Sequence, residues 1–287
     1  STALRSARSW PVLRGFLSST ANSRRPGRVW RTRPRAGPPA YIALALAGGY
    51  PEPVLRLSGA ARDAWVDGYL EQLLTRDVAN LAQRAPSRLR RYFEAIAANS
   101  AGVVEHKTIY DAAGIDRLTA VSYDALLAGL FVVDDVPAWF TNRLSRLVKS
   151  SKRYVIDPSL VAGALRLDRT SVLRDGDLLG RLLDTFVAAQ LRPELVASSQ
   201  RPRLYHFREK NGRREIDLLA ELGGHRVVGI EVKASAAPSR DDAKHLAWLR
   251  DELGDRFVVG ALLHIGPRSF PLGDRIYAMP IASIWAS

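Results

Sequence analysis

Apolar residues recur at helical spacing only from Tyr41 onward. Tyr41–Gly49 is almost wholly apolar, Gly48-Gly49-Tyr50-Pro51 interrupts it, and Ala61–Leu81 places Trp65, Tyr69, Leu73, Leu74, Val78 and Leu81 on one helix face. A helix over Arg88–Ala101, a shorter one over Lys107–Ala113, a turn at Gly114 and a third helix over Leu118–Leu130 follow, with Asp116 placed to cap the third. Phe131-Val132-Val133, Asp134-Asp135 and Val136-Pro137-Ala138-Trp139 then read as strand, turn and strand. Helix, turn, helix and hairpin in this order predict a winged-helix layout, so residues 41–160 read as a helical and winged-helix domain.

The period changes after residue 160. A helix over Gly176–Leu191 precedes strands at Leu204–Arg208, Glu215–Glu221 and Arg226–Lys233, with an Asn211-Gly212 turn between the first two. A helix over Arg240–Leu253, a strand over Arg256–Leu263 and a short strand over Arg275–Ala278 complete the pattern. Residues 161–287 therefore predict an α/β domain with the order α-β-β-β-α-β.

Composition changes the picture in one place. The net charge is +13, but residues 1–40 hold nine Arg and no Lys, Asp or Glu, which leaves only +4 on the other 247 residues. That segment, rich in Arg, Ser, Pro and Gly, has no apolar period and reads as a disordered or non-native extension. It has no apolar core of a secretory signal, although acid-poor, Arg-rich segments also occur as transit peptides or bind nucleic-acid backbones. With 47% hydrophobic and 25% charged residues the whole chain has a globular balance, and no run approaches the ~18 apolar residues that span a bilayer. No cysteine is present, which excludes disulfides and thiol chemistry and suits a cytoplasmic setting.

Candidate chemistry concentrates in the strand Val227-Val228-Gly229-Ile230-Glu231-Val232-Lys233. Its apolar residues predict a buried strand, yet Glu231 and Lys233 lie two positions apart on one face. Buried charges need partners, so a structural Glu–Lys pair is one reading. Asp217, an acid in the apolar strand Ile216-Asp217-Leu218-Leu219, supports another: two carboxylates that hold Mg²⁺ or Mn²⁺ beside a lysine. For Asp217 to share a face with Glu231, paired positions must sum to 448, which predicts a three-residue Gly223-Gly224-His225 loop or a bulge of the same effect, since a two-residue Gly223-Gly224 turn would put Glu231 on the opposite face. Two further sets of cations bear on nucleic acid. Arg143, Arg146, Lys149, Lys152 and Arg153 either track phosphates or form a solvated helix face, and His206 and Arg208 either contact phosphate or serve strand pairing. The third helix of the first domain offers Thr119, Ser122, Tyr123 and Asp124 but no cation after Arg117, so packing and direct DNA reading both stand for it.

Asp217, thirteen intervening residues and Glu231-Val232-Lys233 on this element order resemble the PD-(D/E)xK nuclease superfamily. Residues 41–287 also resemble the C-terminal region of bacterial AAA-type ATP-binding proteins, in which a winged helix precedes a nuclease-like domain. The matching landmarks are Gly48-Gly49-Tyr50-Pro51-Glu52, Arg76-Asp77-Val78, Arg146 to Asp157, Leu204-Tyr205-His206-Phe207-Arg208, Glu215-Ile216-Asp217 and Glu231-Val232-Lys233-Ala234. The resemblance implies Asp217, Glu231 and Lys233 as catalytic residues, with Asp184, Asp217 and Glu231 as metal ligands. At Asp184 the family more often has Glu. Arg146, Lys149, Lys152 and Arg208 are the candidate nucleic-acid contacts. No G-x-x-x-x-G-K-[ST] run occurs in the chain, so the resemblance implies a truncated relative without an ATP site. Three readings follow. One is a Mg²⁺-dependent nuclease acting on DNA. The second is an inactive DNA-binding or regulatory module that partners an ATPase, and the third is a protein-docking module.

Overall fold

A computed structural model describes residues 38–75, 86–140, 150–209 and 212–284. The described chain forms two compact units. One draws on residues between 42 and 136 and between 150 and 189, and the other on residues from 190 onward together with 38–41 and 137–140. The sequence boundary after residue 160 thus falls inside the first unit.

The first unit is helical: α1 (Pro38–Ala47, from Ile42 onward), α2 (Pro51–Arg56), α3 (Ala60–Thr75), α4 (Pro86–Ala98), α5 (His106–Ala112), α6 (Arg117–Gly129), α7 (Pro158–Leu165), α8 (Arg169–Arg174) and the first part of α9 (Gly176–Ala197). A two-stranded antiparallel sheet, β1 (Val133–Val136) with β2 (Lys152–Val155), completes it. Val66, Leu70, Leu73 and Leu74 of α3 meet Leu89, Tyr92, Phe93 and Ile96 of α4 and Ala120, Tyr123 and Leu127 of α6 in one core. The buried stripe of α3 therefore includes Val66 and Leu70, while Trp65 and Tyr69 stack on each other at 5.3 Å and pack with Tyr50 at its edge. Val78 and Leu81 lie outside the described residues.

Asp116 caps α6 as its spacing predicts, accepting from the Thr119 N–H at 2.9 Å. The hairpin differs. Asp134 and Asp135 lie within β1, whose partner is β2, with Asp135 opposite Arg153 and joined to it by an ion pair at 3.2 Å. The two aspartates form no turn because the strand that pairs with β1 comes later in the chain, as β2. Ala138 instead bridges to His206 in the second unit.

The second unit is a six-stranded mixed sheet in the order β3-β4-β5-β6-β8-β7. The strands are β3 (Arg203–Arg208), β4 (Glu215–Glu221), β5 (Val227–Lys233), β6 (Phe257–His264), β7 (Phe270–Gly273) and β8 (Ile276–Pro280), with α10 (Lys244–Leu253) between β5 and β6. The predicted order holds through β6, and a final hairpin replaces the one short strand expected at 275–278. Leu246, Leu249 and Leu253 of α10 pack on Val227 and Phe257. A Cβ at Gly229 would stand 2.7 Å from Leu246 Cδ2, so the helix lies this close only because position 229 has no side chain. β5, β6 and β8 are mutually parallel, and their carboxyl ends form the edge where ligands bind in open α/β sheets.

At that edge His264 is fully buried, and both of its ring nitrogens hold the loop after β6. Nδ1 accepts from the Gly266 N–H and Nε2 donates to the Arg268 carbonyl, each at 3.0 Å. Burial lowers the imidazole pKa below the ordinary 6.5, outweighing the Arg268 hydrogen bond. The unfolded chain therefore takes up this proton more readily than the folded one. The contribution is complete above about pH 6.5 and is lost as pH falls through the depressed folded value. Urea midpoints measured from pH 8 to 5 should fall on the acid side, and a His264→Gln variant should be less stable at pH 8 with a flatter acid limb.

Candidate functional site

The loop Gly223–His225 is three residues long, and Leu218↔Ile230, Leu219↔Gly229, Ala220↔Val228 and Glu221↔Val227 all sum to 448. This is the register that sets Asp217 opposite Glu231. Gly224 and His225 carry the positive φ values, 73° and 57°, that close the loop.

One feature was not legible in the sequence. Between Tyr205↔Leu219 and Phe207↔Ile216, two steps along β3 correspond to three along β4, so β4 bulges at Asp217-Leu218. The β4–β5 ladder stops at Leu218↔Ile230, and the Asp217 carboxylate takes over from it, accepting the Val232 N–H at 2.9 Å. A bulge re-aims a side chain at a strand end, and here it turns an acid toward the next strand.

Glu231 is 3% exposed, and its Oε2 lies 3.4 Å from Lys233 Nζ. Burial pulls the Lys233 pKa down, but the charges of Glu231, Asp217 and Asp242 outweigh it and hold the ammonium above the ordinary lysine value. Lys233 is therefore a cation at neutral pH, able to neutralise negative charge and unsuited to act as a base. Asp242 was missed as a neighbour of this group. Its Oδ2 accepts from the Ser239 N–H at 2.7 Å and from Ser239 Oγ at 2.9 Å, and these bonds depress its pKa. Ser239-Arg240-Asp241-Asp242 ahead of an apolar run is the capping pattern that marks such an acid.

Asp184 and Lys152 lie against each other. Both lie in the helical unit, Lys152 at 1% and Asp184 at 6% exposure, with Lys152 Nζ 2.5 Å from Asp184 Oδ2. Tyr154 Oη donates to the other oxygen at 3.0 Å. The ammonium expected on a phosphate and the carboxylate expected on a metal are thus spent on each other, because neither charge can be buried unpaired. Arg208 lies 3.6 Å from Glu215 across the β3–β4 pair, and His206 is buried in β3. Arg146 and Lys149 lie outside the described residues, as does Arg76-Asp77-Val78. The Gly48-Gly49 landmark is a clamp: Gly48 has φ 71°, and Asp157 accepts from the Gly49 N–H at 2.7 Å and the Ser159 N–H at 2.8 Å. Among the described residues no group of three or more His, Asp or Glu side chains is arranged to hold a metal, and no helix is long and apolar enough to cross a membrane.

Residues 39–171 match a domain of unknown function (DUF8612), and residues 179–284 match a second domain of unknown function (DUF4143). An uncharacterized protein of Mycobacterium bovis and one of Mycobacterium tuberculosis are each 30% identical over 249 residues, 86% of this chain and 54% of theirs. The chain therefore spans about half the length of these bacterial relatives. No solved structure matches it.

The buried pair gives a direct test. Lys152→Met or Asp184→Leu alone leaves one buried charge without its counter-ion and should cost about 3–5 kcal/mol. The double variant should cost less than either single change, as read from urea unfolding of all four proteins. Additive losses would contradict the pairing.

Proposed function

We propose that this chain is a nuclease-like protein of the PD-(D/E)xK type, acting with Mg²⁺ or Mn²⁺ on nucleic-acid phosphodiesters. The observation that carries this reading is the convergence of Asp217, Glu231 and Lys233 at the end of the β4–β5 ladder, at the carboxyl edge of the parallel strands. Mg²⁺ is commonly bound through one or two carboxylates, with water in the remaining positions, and Asp217 and Glu231 supply that donor set. The bound ion would lower the pKa of a coordinated water and polarise the phosphoryl group.

The protein's own residues do the positioning. Asp217 is held by the Val232 amide and Glu231 by its buried strand, so neither must reorganise on binding. Lys233, charged and partly exposed, sits where it offsets charge building on the phosphate oxygens. DNA is the expected partner, and Arg208, at the same end of the strands, keeps its side chain exposed to solvent. In the helical unit α5, α6 and the β1–β2 pair follow the winged-helix order. The outward face of α6 is apolar, which supports packing over base reading for that helix.

One observation favours a second reading, an inactive nucleic-acid-binding or regulatory module that works with a separate ATPase: the third acid implied by the resemblance, Asp184, is committed to Lys152. Cleavage separates the two. With supercoiled or single-stranded DNA and Mg²⁺ or Mn²⁺, the full chain should cut, and Asp217→Asn, Glu231→Gln and Lys233→Met should each lose at least ~100-fold in rate. Circular dichroism checks that each variant is folded. A folded wild type that leaves every substrate intact would overturn the nuclease reading in favour of the second.

A further inference from the structure

The face that α6 turns outward is unusual for a helix in this position. Its exposed residues are Arg117, Leu118, Val121, Ala125, Ala128 and Gly129. Leu118, Val121, Ala125 and Ala128 recur at intervals of three, four and three, the spacing of a helix–helix seam. Leu118 is 80% and Val121 51% exposed, and Phe131, just beyond the helix, is 77% exposed. The acid beside the stripe, Asp124, directs its carboxylate inward to Arg153 at 2.9 Å, His106 at 2.9 Å and Tyr92 at 2.7 Å. The stripe itself thus carries no charge.

We infer that this face docks against the same face of a second copy of the chain, with the two α6 helices antiparallel about a two-fold axis. The sequence of the stripe is complementary to itself in that arrangement alone. Antiparallel pairing centred between Val121 and Ala125 sets Val121 against the copy's Ala125 and Leu118 against the copy's Ala128. Each large side chain meets a small one at every layer, and the small residues let the two backbones approach closely. A parallel pairing would set Leu118 on Leu118 and leave the alanines facing each other across a gap.

Charge agrees with this orientation. Arg117, exposed at the N-terminal end of α6, lies beside the copy's C-terminal end, the negative end of that helix's dipole. Phe131 adds apolar area at the rim. The helices are about 20 Å long, so the contact buries on the order of 600–800 Å² in total, below the roughly 1,200 Å² of stable interfaces. The dimer is accordingly weak and reversible.

The absence of cysteine from the chain makes the register testable. Val121→Cys and Ala125→Cys are prepared as separate proteins, each of which keeps an exposed site and the native core. Under mild oxidation at high protein concentration, the mixture should form the 121–125 disulfide several-fold faster than either protein forms a disulfide with itself. Sedimentation velocity of the wild type should show concentration-dependent association, which Leu118→Glu abolishes without changing circular dichroism. A chain that stays monomeric up to millimolar concentration would overturn the proposal and assign the face to a different partner. Equal cross-linking in all three combinations would overturn the antiparallel register.

Discussion

The pairing of β4 with β5 is the constraint on which the candidate chemistry depends. A loop of three residues fixes the sum of paired positions at 448, and a loop one residue shorter would send the side chain of Glu231 to the opposite face from Asp217. The bulge at Asp217-Leu218 then ends the ladder and lets a carboxylate replace a carbonyl as the acceptor for Val232. Two acids and a lysine meet because backbone geometry leaves them little alternative. The charges sustain one another: Glu231 is buried beside Lys233, and Lys233 stays protonated against its own burial because Glu231, Asp217 and Asp242 surround it.

Much of this was legible in the residues. Period-two patterning located β3 to β6, and the requirement that Asp217 and Glu231 share a face predicted the three-residue Gly223-Gly224-His225 loop that the structure has. Acids in apolar strands singled out Asp217 and Glu231, and the structure sets both near Lys233. The bulge left no local signal, since Asp217-Leu218 has neither glycine nor proline and the extra residue arises from pairing with β3. The final hairpin was half-read because Phe270-Pro271-Leu272-Gly273 carries turn residues inside a strand at the sheet edge, where proline is tolerated.

The helical unit shows where spacing misleads. Lys152 belongs to a run of cations that looks like a phosphate track, yet period two in β2 sends alternate side chains to opposite faces. Lys152 and Tyr154 go inward to Asp184, while Arg153 goes outward to Asp124 and Asp135. Only knowledge that this stretch is a strand, with β1 as its partner, separates the two roles. The same β1–β2 pair explains why the aspartates at 134 and 135 are not a turn. The chain's high net charge points the same way, since most of the excess lies in the first forty residues.

The account rests on Asp217 and Glu231 forming one cation site, and crystals of the full chain grown or soaked with Mn²⁺ test that most directly. An anomalous peak within about 2.0–2.2 Å of a carboxylate oxygen from each residue, with Lys233 alongside, is the predicted result. Saturating Mn²⁺ with no peak between them, and Lys233 still paired with Glu231, would contradict it and leave the charged strand a structural ion pair.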